Sequence, residues 1–414
     1  MTQQTTTVLH IGWMLRAVDA LHRADLNVTC VLQPGDLETA RSAFPEMRTV
    51  VVPDQSSVEG ILAGLARNSL RVQEFDAVCS GLELCLTAAA VLSDLGGLTR
   101  GAALRAVAMR DKEVQKSLVR AAGVVTADCT SATGPDDAPQ DSARFPVVVK
   151  PLSGSGALDT FRLDRPEELR DFLATSAAKG PWLVEEFIPG TEFQVDGVVR
   201  GGEITFLSLA RYLENIIDIH EGGLVGCTAL QPHRHPELYE KATDVARNAL
   251  KALDHADGVF HIEVFDRSGE IVFGECGGRV GGGRTDEVVE RTFGVNLHDE
   301  WVRGVLGRPS AVSAARTPAS GAVHGDLHLH APAGAVREAP TFDEVLARPG
   351  VEYAEVRIAP GGTMPDVTAA SYLRAGVVVV SGADDAEVES RSKELAAWFA
   401  DRVVLEPAGA ADGR

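Results

Sequence analysis

Residues 260–275, FHIEVFDRSGEIVFGE, read as a hairpin with one glutamate on each arm, Glu263 and Glu275. Gly269 suits the left-handed position closing a three-residue loop, and any odd-length loop keeps both carboxylates on one face, directly opposed or one diagonal apart. Like charges so placed repel. Set among Ile262, Val264 and Val272, they are costly to bury unpaired, and a shared cation resolves the cost. An all-oxygen donor set favours Mg²⁺, with Mn²⁺ as a substitute, its shell completed by water and phosphate oxygens. The alternative is an ion pair between one glutamate and Arg279 or Arg284. Just beyond, residues 277–283 hold five glycines in seven positions around Arg279, a segment with too few side chains to be held by packing.

Two lysines offer positive charge. Lys150 ends FPVVVK and precedes PLSGSGALDT, where the backbone N–H groups of Ser153, Gly154, Ser155 and Gly156 could close over phosphates. The order differs from a Walker loop, and a plain turn is the competing reading. Lys112, in RDKEVQKSLV, is either a second phosphate contact or a solvated helix residue. WLVEEFIPGTEF then supplies Glu185, Glu186, Phe187 and Ile188 beside a turn whose backbone can bind a planar base, and Glu192 to bind ribose hydroxyls. For proton transfer the candidates are His261, on the same strand face as Glu263, and His220 in DIHEGG; each also has a purely structural reading. Asp218 and Glu221 flank His220 and suit a substrate ammonium.

These residues need elements to hold them. Apolar runs at 7–12, 27–33, 48–52 and 75–80 alternate with helical patterns at 13–24 and 57–68, which predicts a small parallel α/β unit. HIGWML follows the first run in place of a dinucleotide-binding glycine motif. One helix is expected over about 103–122 and an exposed loop over 131–144. From 145 onward the chain is strand-rich: FPVVVKP, DTFRL, WLVEEFI, EFQVDGVV, GEITFLSLA, FHIEVF and EIVFGE. They are interrupted by an amphipathic helix at 236–254 whose stripe is Leu238, Ala242, Val245, Ala249 and Leu253. A seam near 309–319 opens a C-terminal unit with strands near 321–331, 352–358 and 375–380 and a helix at 384–402 that pairs Leu395 with Trp398 and Phe399. The expected division is an N-terminal α/β unit at 1–105, a middle unit at 106–310 with lobes at about 112–185 and 186–310, and an α+β unit at 311–414.

The chain has 414 residues, 45% of them apolar, enough for several cores. A formal charge of −20 and a pI near 5.0 argue against a nucleic-acid footprint or an anionic membrane surface. No apolar run approaches the roughly 20 residues that span a bilayer, and the N-terminus lacks a leader pattern, so a cytoplasmic protein is expected. The six cysteines show no metal-type spacing and read as small buried residues in a reducing compartment.

Taken in order, the DK helix start at Lys112, Lys150 before its Gly/Ser loop, VEEFIPGTE, FHIE and ECGGRVGGG resemble the ATP-grasp superfamily over roughly 100–310. Within it, the FHIE and E-x-x-x-R-x-G-G pair resembles carboxylate–amine ligases of the L-amino-acid ligase group. The resemblance implies an α/β ATP-grasp fold with a Rossmann-like N-terminal unit and a small C-terminal α+β unit. It implies ATP phosphates on Lys112 and Lys150 beneath a flap at 153–156, and adenine along Glu185, Glu186, Phe187 and Ile188. Ribose falls to Glu192 and Mg²⁺ to Glu263 and Glu275. Arg279 is implied to meet the transferred phosphoryl group and the acyl phosphate, with Gly281, Gly282 and Gly283 letting the backbone approach the substrates. The implied reaction joins a carboxylate, such as an amino acid, to an amine through an acyl phosphate, in a chain that forms homodimers as many relatives do. One departure stands out: many members carry Asn two residues after the second metal glutamate, where this chain has Gly277. The rival readings are an ATP-grasp enzyme of carboxylase type and a nucleotide-binding protein that has lost turnover.

Overall fold

The computed structural model describes residues 5–139, 141, 144–312 and 321–407. The first apolar runs form β1 (Thr7–Ile11), β2 (Asn27–Leu32), β3 (Arg48–Val51) and β4 (Ala77–Cys79), alternating with α1 (Leu15–Arg23), α2 (Leu37–Ala43), α3 (Val58–Arg67) and α4 (Leu86–Leu95). All pairings are parallel in the order β3-β2-β1-β4, as expected for strands buried on both faces. A short 3-10 turn, Glu83–Cys85, follows the carboxyl end of β4, the edge where open α/β sheets place functional side chains.

The single helix expected at 103–122 is two helices, α5 (Ala102–Arg110) and α6 (Lys112–Ala121). Between them Asp111 is extended, with φ −84° and ψ 110°, and its carboxylate accepts the N–H groups of Glu113 and Val114 at 3.0 and 2.9 Å. This is an N-cap, strong enough to restart the helix at Lys112.

A second sheet combines β5 (Cys129–Ala132), β6 (Val147–Pro151), β7 (Phe161–Leu163) and β8 (Trp182–Glu186) in the order β5-β8-β6-β7, with α7 (Pro166–Ser176) packed against it. Part of the loop expected at 131–144 is therefore strand: Ser131 and Ala132 pair with Leu183 and Trp182. CTSA is too short and polar to announce itself, and its partner strand decides its conformation.

The third sheet is the largest. It contains β9 (Thr191–Arg200), β10 (Glu203–Tyr212), β11 (Gly226–Leu230), β12 (Gly258–Arg267) and β13 (Glu270–Gly277). Helix α8 (Pro236–Ala252) covers one face, pressing Ala242, Ala246, Ala249 and Leu250 against Val195, Leu209, Phe260 and Ile262. After α9 (Thr285–Phe293) and α10 (Leu297–Val305), the chain re-enters this sheet with β14 (Val323–Leu329). Then come β15 (Gly334–Glu338), α11 (Phe342–Leu346), β16 (Val351–Val356), β17 (Thr363–Met364), β18 (Gly376–Gly382), α12 (Asp385–Arg402) and β19 (Val404–Leu405). The order β13-β12-β9-β10-β11-β14-β18-β16 carries the sheet straight across the boundary expected at 310. Most of the seam at 309–319 lies outside the described residues. On α12, Leu395 and Phe399 are buried, while Trp398 is half-buried beneath the Arg348 guanidinium, 4.7 Å away.

The hairpin β12–β13 corrects one expectation and explains another. Its loop has two residues, Ser268 and Gly269, both left-handed at φ 54° and 93°, so Arg267 pairs with Glu270. Continued without interruption, that register would set Glu263 opposite Gly274 and send Glu275 to the other face. The register instead slips between Glu263 and Val264, leaving Gly274 as the extra residue and Glu263 opposite Glu275. A Cβ on Gly274 would stand 2.9 Å from the Glu263 carbonyl oxygen, so the bulge suits glycine. Among the described residues, no helix is long and apolar enough to cross a membrane.

Candidate active site

A cavity opens where β6 and β8 of the second sheet face β9, β10, β12 and β13 of the third, with α6 at one end and β14 at the other. Ala127, Val148, Ile188, Phe265 and Phe273 give it an apolar slot suited to a planar ring. Glu186 and Phe187 line the same end; Glu186 also reaches Arg267 at 3.3 Å, and Arg162 stacks over the Phe187 ring.

Three lysines form one wall. The Asp111 cap sets Lys112 on the first turn of α6, where it is buried; its Nζ lies 3.2 Å from Glu275 Oε2 and donates to the Gly154 carbonyl at 3.0 Å. One turn on, Lys116 is wholly buried, donating to the bulged Gly274 carbonyl at 2.7 Å and pairing with Glu185 at 3.0 Å. Lys150 pairs with Glu185 at 2.6 Å and approaches Glu275 at 3.8 Å. Burial pulls the Lys116 pKa down despite Glu185. At Lys150 burial pulls the same way, but Glu185 and Glu275 outweigh it and raise the pKa. Glu185 thus serves as an internal counterion to two lysines, its own pKa lowered by them against burial.

The opposite wall is acidic. Glu263 receives the Tyr212 hydroxyl at 3.1 Å and stands 3.6 Å from His261 Nε2. Burial favours protonation of Glu275, but Lys112 and Lys150 overcome it and hold its pKa at about 2. Glu192 is buried, and burial together with the Glu263 charge lifts its pKa well above the usual carboxylate range; it accepts the Ile216 N–H at 2.8 Å. Neither metal-candidate glutamate pairs with Arg279 or Arg284 among the described residues. Nor does any group of three or more His, Cys, Asp or Glu there form a cation cage. The donor set is a pair of opposed carboxylates, which suits Mg²⁺ bound together with phosphate oxygens.

His261 lines the cavity but does not suit the role of base expected for it. Burial lowers its pKa, but Asp196 at 2.9 Å and Glu263 reverse the effect and raise it to about 10, so the ring keeps its proton at neutral pH. His220 is not among the lining residues; its ring stacks on Phe161 at 5.8 Å. Asp218 and Glu221 share that 3-10 segment, Ile216–Glu221, and also lie outside the cavity lining, as does Ser153. In the loop after Lys150, carbonyls carry the contacts: Ser153 O accepts from Arg110, Gly154 O from Lys112, and Gly156 O from the Ser371 N–H at 2.9 Å.

The glycine-rich stretch packs for different reasons at each position. A Cβ on Gly281 would stand 2.7 Å from Asp196 Oδ1, and one on Gly283, at φ +62°, would stand 2.4 Å from Asp326 Oδ2, whereas Gly282 faces open space in the cavity. Arg279 borders the cavity, with its Nε on the Glu83 carboxylate.

Sequence reading missed Lys116, Tyr212, Asp326, His328 and Glu83. For Lys116 a signal existed, since it lies one helical turn beyond Lys112. Asp326 and His328 reach the cavity from β14 through pairing with β11, and nothing local marks them. Asp326 accepts the N–H groups of Cys227 and Arg284 at 3.0 and 2.8 Å, and burial lifts its pKa to about 6. His328 accepts from Arg374 at 2.9 Å and donates from Nδ1 to the Ser371 carbonyl at 2.8 Å. Burial and Arg374 keep its pKa well below the usual value.

Lysines and paired acids around a slot for a planar ring, held between two antiparallel sheets, form a cavity whose chemistry suits a nucleotide. Residues 143–287 match the ATP-grasp domain model, and residues 327–399 match the model of L-amino acid ligase C-terminal domain 2. The chain is therefore an ATP-dependent ligase of the ATP-grasp type, with a C-terminal unit of the kind found in L-amino acid ligases. It is 24% identical over 337 residues to an L-arginine-specific L-amino acid ligase of Bacillus subtilis, covering 78% of this chain and 79% of that one. A dapdiamide A synthase of Enterobacter agglomerans is 26% identical over 254 residues, 58% of each chain. The fold matches the crystal structure of an L-amino acid ligase from Bacillus licheniformis with a TM-score of 0.77 at 20% identity, over 98% of this chain and all of that one.

Proposed function

We propose that the protein joins the carboxylate of an amino acid or a related acid to an amine, through an acyl phosphate, using ATP. The observation that supports this best is the Glu263–Glu275 pairing across the bulged hairpin, which faces Lys112, Lys150 and Arg279 around one cavity. A carboxylate cannot expel oxide at neutral pH. Its oxygen attacks the terminal phosphorus of ATP, the bond to the bridging oxygen breaks, and ADP leaves; the amine then adds to the acyl carbon, phosphate departs, and one proton is lost from nitrogen. Glu263 and Glu275 would hold Mg²⁺, which when bound neutralises charge on the phosphate oxygens. Lys112, Lys150 and Arg279 share that work at the transferring group. Val148, Ile188 and Phe273 enclose adenine, with Glu192 beside the ribose.

Proton removal from the amine passes, in this reading, from the two histidines to Asp326. It lines the cavity beside Gly283 and titrates near the range useful to a base. Asp218 and Glu221 remain the proposed grip for a substrate ammonium on the 3-10 segment next to the cavity. The test is a screen of paired amino acids for phosphate release and product mass. The proposal requires ADP and phosphate release that depends on both an acid and an amine, with a product heavier than either; nucleotide binding without turnover for any pair would overturn it.

A further inference from the structure

Glu83 lies in the 3-10 turn after β4, 196 residues from Arg279 in sequence, and is held in place by two arginines. Arg110, at the end of α5, donates to its Oε1 at 2.6 Å, and Arg279 meets its Oε2. All three side chains are largely buried, with exposures of 11% for Glu83, 9% for Arg110 and 18% for Arg279. Burial raises the carboxyl pKa of Glu83, but Arg279 and Arg110 outweigh it, so the group stays ionised. Among the described residues Arg279 makes one further hydrogen bond, to the Val280 carbonyl at 2.9 Å. Its side chain borders the cavity.

The same carboxylate bears on the departure at position 277. A Cβ built on Gly277 would lie 3.0 Å from Glu83 Oε2, tighter than ordinary contact, and its next neighbour would be the Arg279 side chain at 3.6 Å. A side chain at 277 and the Glu83–Arg279 pair therefore compete for one space. Glycine leaves it to the glutamate.

We propose that Glu83, reaching in from the N-terminal unit, is the positioning residue for Arg279: it fixes the guanidinium toward the transferring phosphoryl group and occupies the room that a side chain at 277 would need. The proposal rests on the reading of Arg279 given above, and it makes docking of the N-terminal unit a condition of phosphoryl transfer. Arg110 neutralises the second oxygen of Glu83 and ties the same assembly to the Ser153 carbonyl of the phosphate-side loop.

The test is a double-mutant cycle in the full-length protein with Glu83→Gln and Arg279→Met, following acid-dependent ADP release at saturating ATP. Glu83→Gln is expected to lower kcat roughly tenfold to a hundredfold, with the KM for ATP changed less than about twofold and Glu83→Asp recovering part of the loss. In the Arg279→Met background the same change is expected to have no further effect, because the residue through which it acts is gone. Losses that multiply in the double variant, or an unchanged kcat in Glu83→Gln, would overturn the proposal. A second arm needs no turnover. Phenylglyoxal labelling of Arg279, read by peptide mass spectrometry, is expected to speed up several-fold in Glu83→Gln and in Gly277→Asn, and equal rates in parent and both variants would count against the pair. If the parent shows no acid-dependent ADP release at all, the ligase reading fails, and the labelling arm still decides whether Glu83 holds Arg279.

Discussion

On the α6–β6–β8 side of the cavity, three lysines already face carboxylates of their own, Glu185 and Glu275, at 2.6–3.8 Å. On the β9–β12 side, Glu192 and Glu263 have a tyrosine hydroxyl, a backbone N–H and one imidazolium, and Glu192 responds by holding its proton. The two walls balance charge in different ways. The cationic wall is satisfied internally and so can be built rigidly before nucleotide arrives; the acidic wall is left short of positive charge. Folding alone does not favour such an arrangement, because a buried carboxyl that must keep its proton beside an ionised neighbour raises the energy of the empty state. It makes sense if a cation and a nucleotide arrive together, the cation meeting the acidic wall and the phosphates meeting the lysines as Glu275 turns from one to the other.

The largest expected effect comes from removing the demand for that cation. Glu263→Gln keeps the shape of the acidic wall and the lysine pairs while deleting the charge, and it is expected to lower turnover roughly 10²- to 10³-fold. Steady-state ADP release across a Mg²⁺ titration checks it. Glu275→Gln should lose a similar factor and in addition leave Lys112 without its carboxylate. If either variant kept parental turnover and Mg²⁺ dependence, the contrast between the walls would have no functional content.

The sequence made the ends of this contrast readable and hid its middle. Glu263, Glu275, Lys112 and Lys150 were legible because their chemistry sits in local patterns, a strand end or a helix start. Their pairing was inferred from an odd-length loop; the loop turned out even, and a bulge at Gly274 restored the parity. No pattern in VFGEC announces that bulge, since it is stabilised from elsewhere, by Lys116 on the carbonyl of Gly274 and by Gln115 bonding both the N–H and the carbonyl of Cys276. Asp326 and Glu83 were illegible for the same reason: their roles exist only once distant elements meet. The α8 stripe, by contrast, was readable from 3.6-residue spacing alone, because burial of one helix face needs no knowledge of its partner.

Proton removal gives the next largest effect and separates Asp326 from the acids around it. Asp326→Asn is expected to reduce amine-dependent turnover roughly 10²-fold while leaving the single-turnover burst of ADP from ATP and the acid, which precedes the amine step, nearer to parental. The pH dependence follows from the direction of its shift. A base must be deprotonated to work, so parental amine-dependent turnover falls as pH drops through about 6, the value to which burial lifts this carboxyl. Cys227, Arg374 and Asp286 are the neighbours that modulate it. In Asp326→Asn that acid limb should vanish from the residual activity; a limb that stays in place assigns the proton to another group.

Gly274→Ala tests the geometry of the acidic wall without changing any charge. The added methyl meets the Glu263 carbonyl at 2.9 Å and the Phe265 ring at 3.1 Å, so the bulge must widen or the register must slip. Overpacking of this kind costs about 1–3 kcal/mol. Glu263 and Glu275 should then lose their alignment, with turnover falling about tenfold in protein that still folds, as read by kinetics beside thermal melting. Parental kinetics in a folded variant would mean that alignment across the hairpin is not what the site depends on.

Lys116→Met should have the smallest effect on rate and a clear effect on stability, and for that reason it discriminates most finely between the walls. Lys116 carries a cation on the wall that is already balanced, is the most deeply buried of the three lysines, and spends its donors on Glu185 and the bulge carbonyl. Without it, Lys150 still neutralises Glu185, but the Gly274 carbonyl is left buried and unpaired at a cost of about 1–3 kcal/mol. Thermal melting should therefore drop, while turnover at saturating ATP stays within about tenfold of the parent. A loss as large as that of Glu263→Gln would place Lys116 among the groups that stabilise the transferring phosphate. The cationic wall would then be working as an unbalanced wall, like the one it faces.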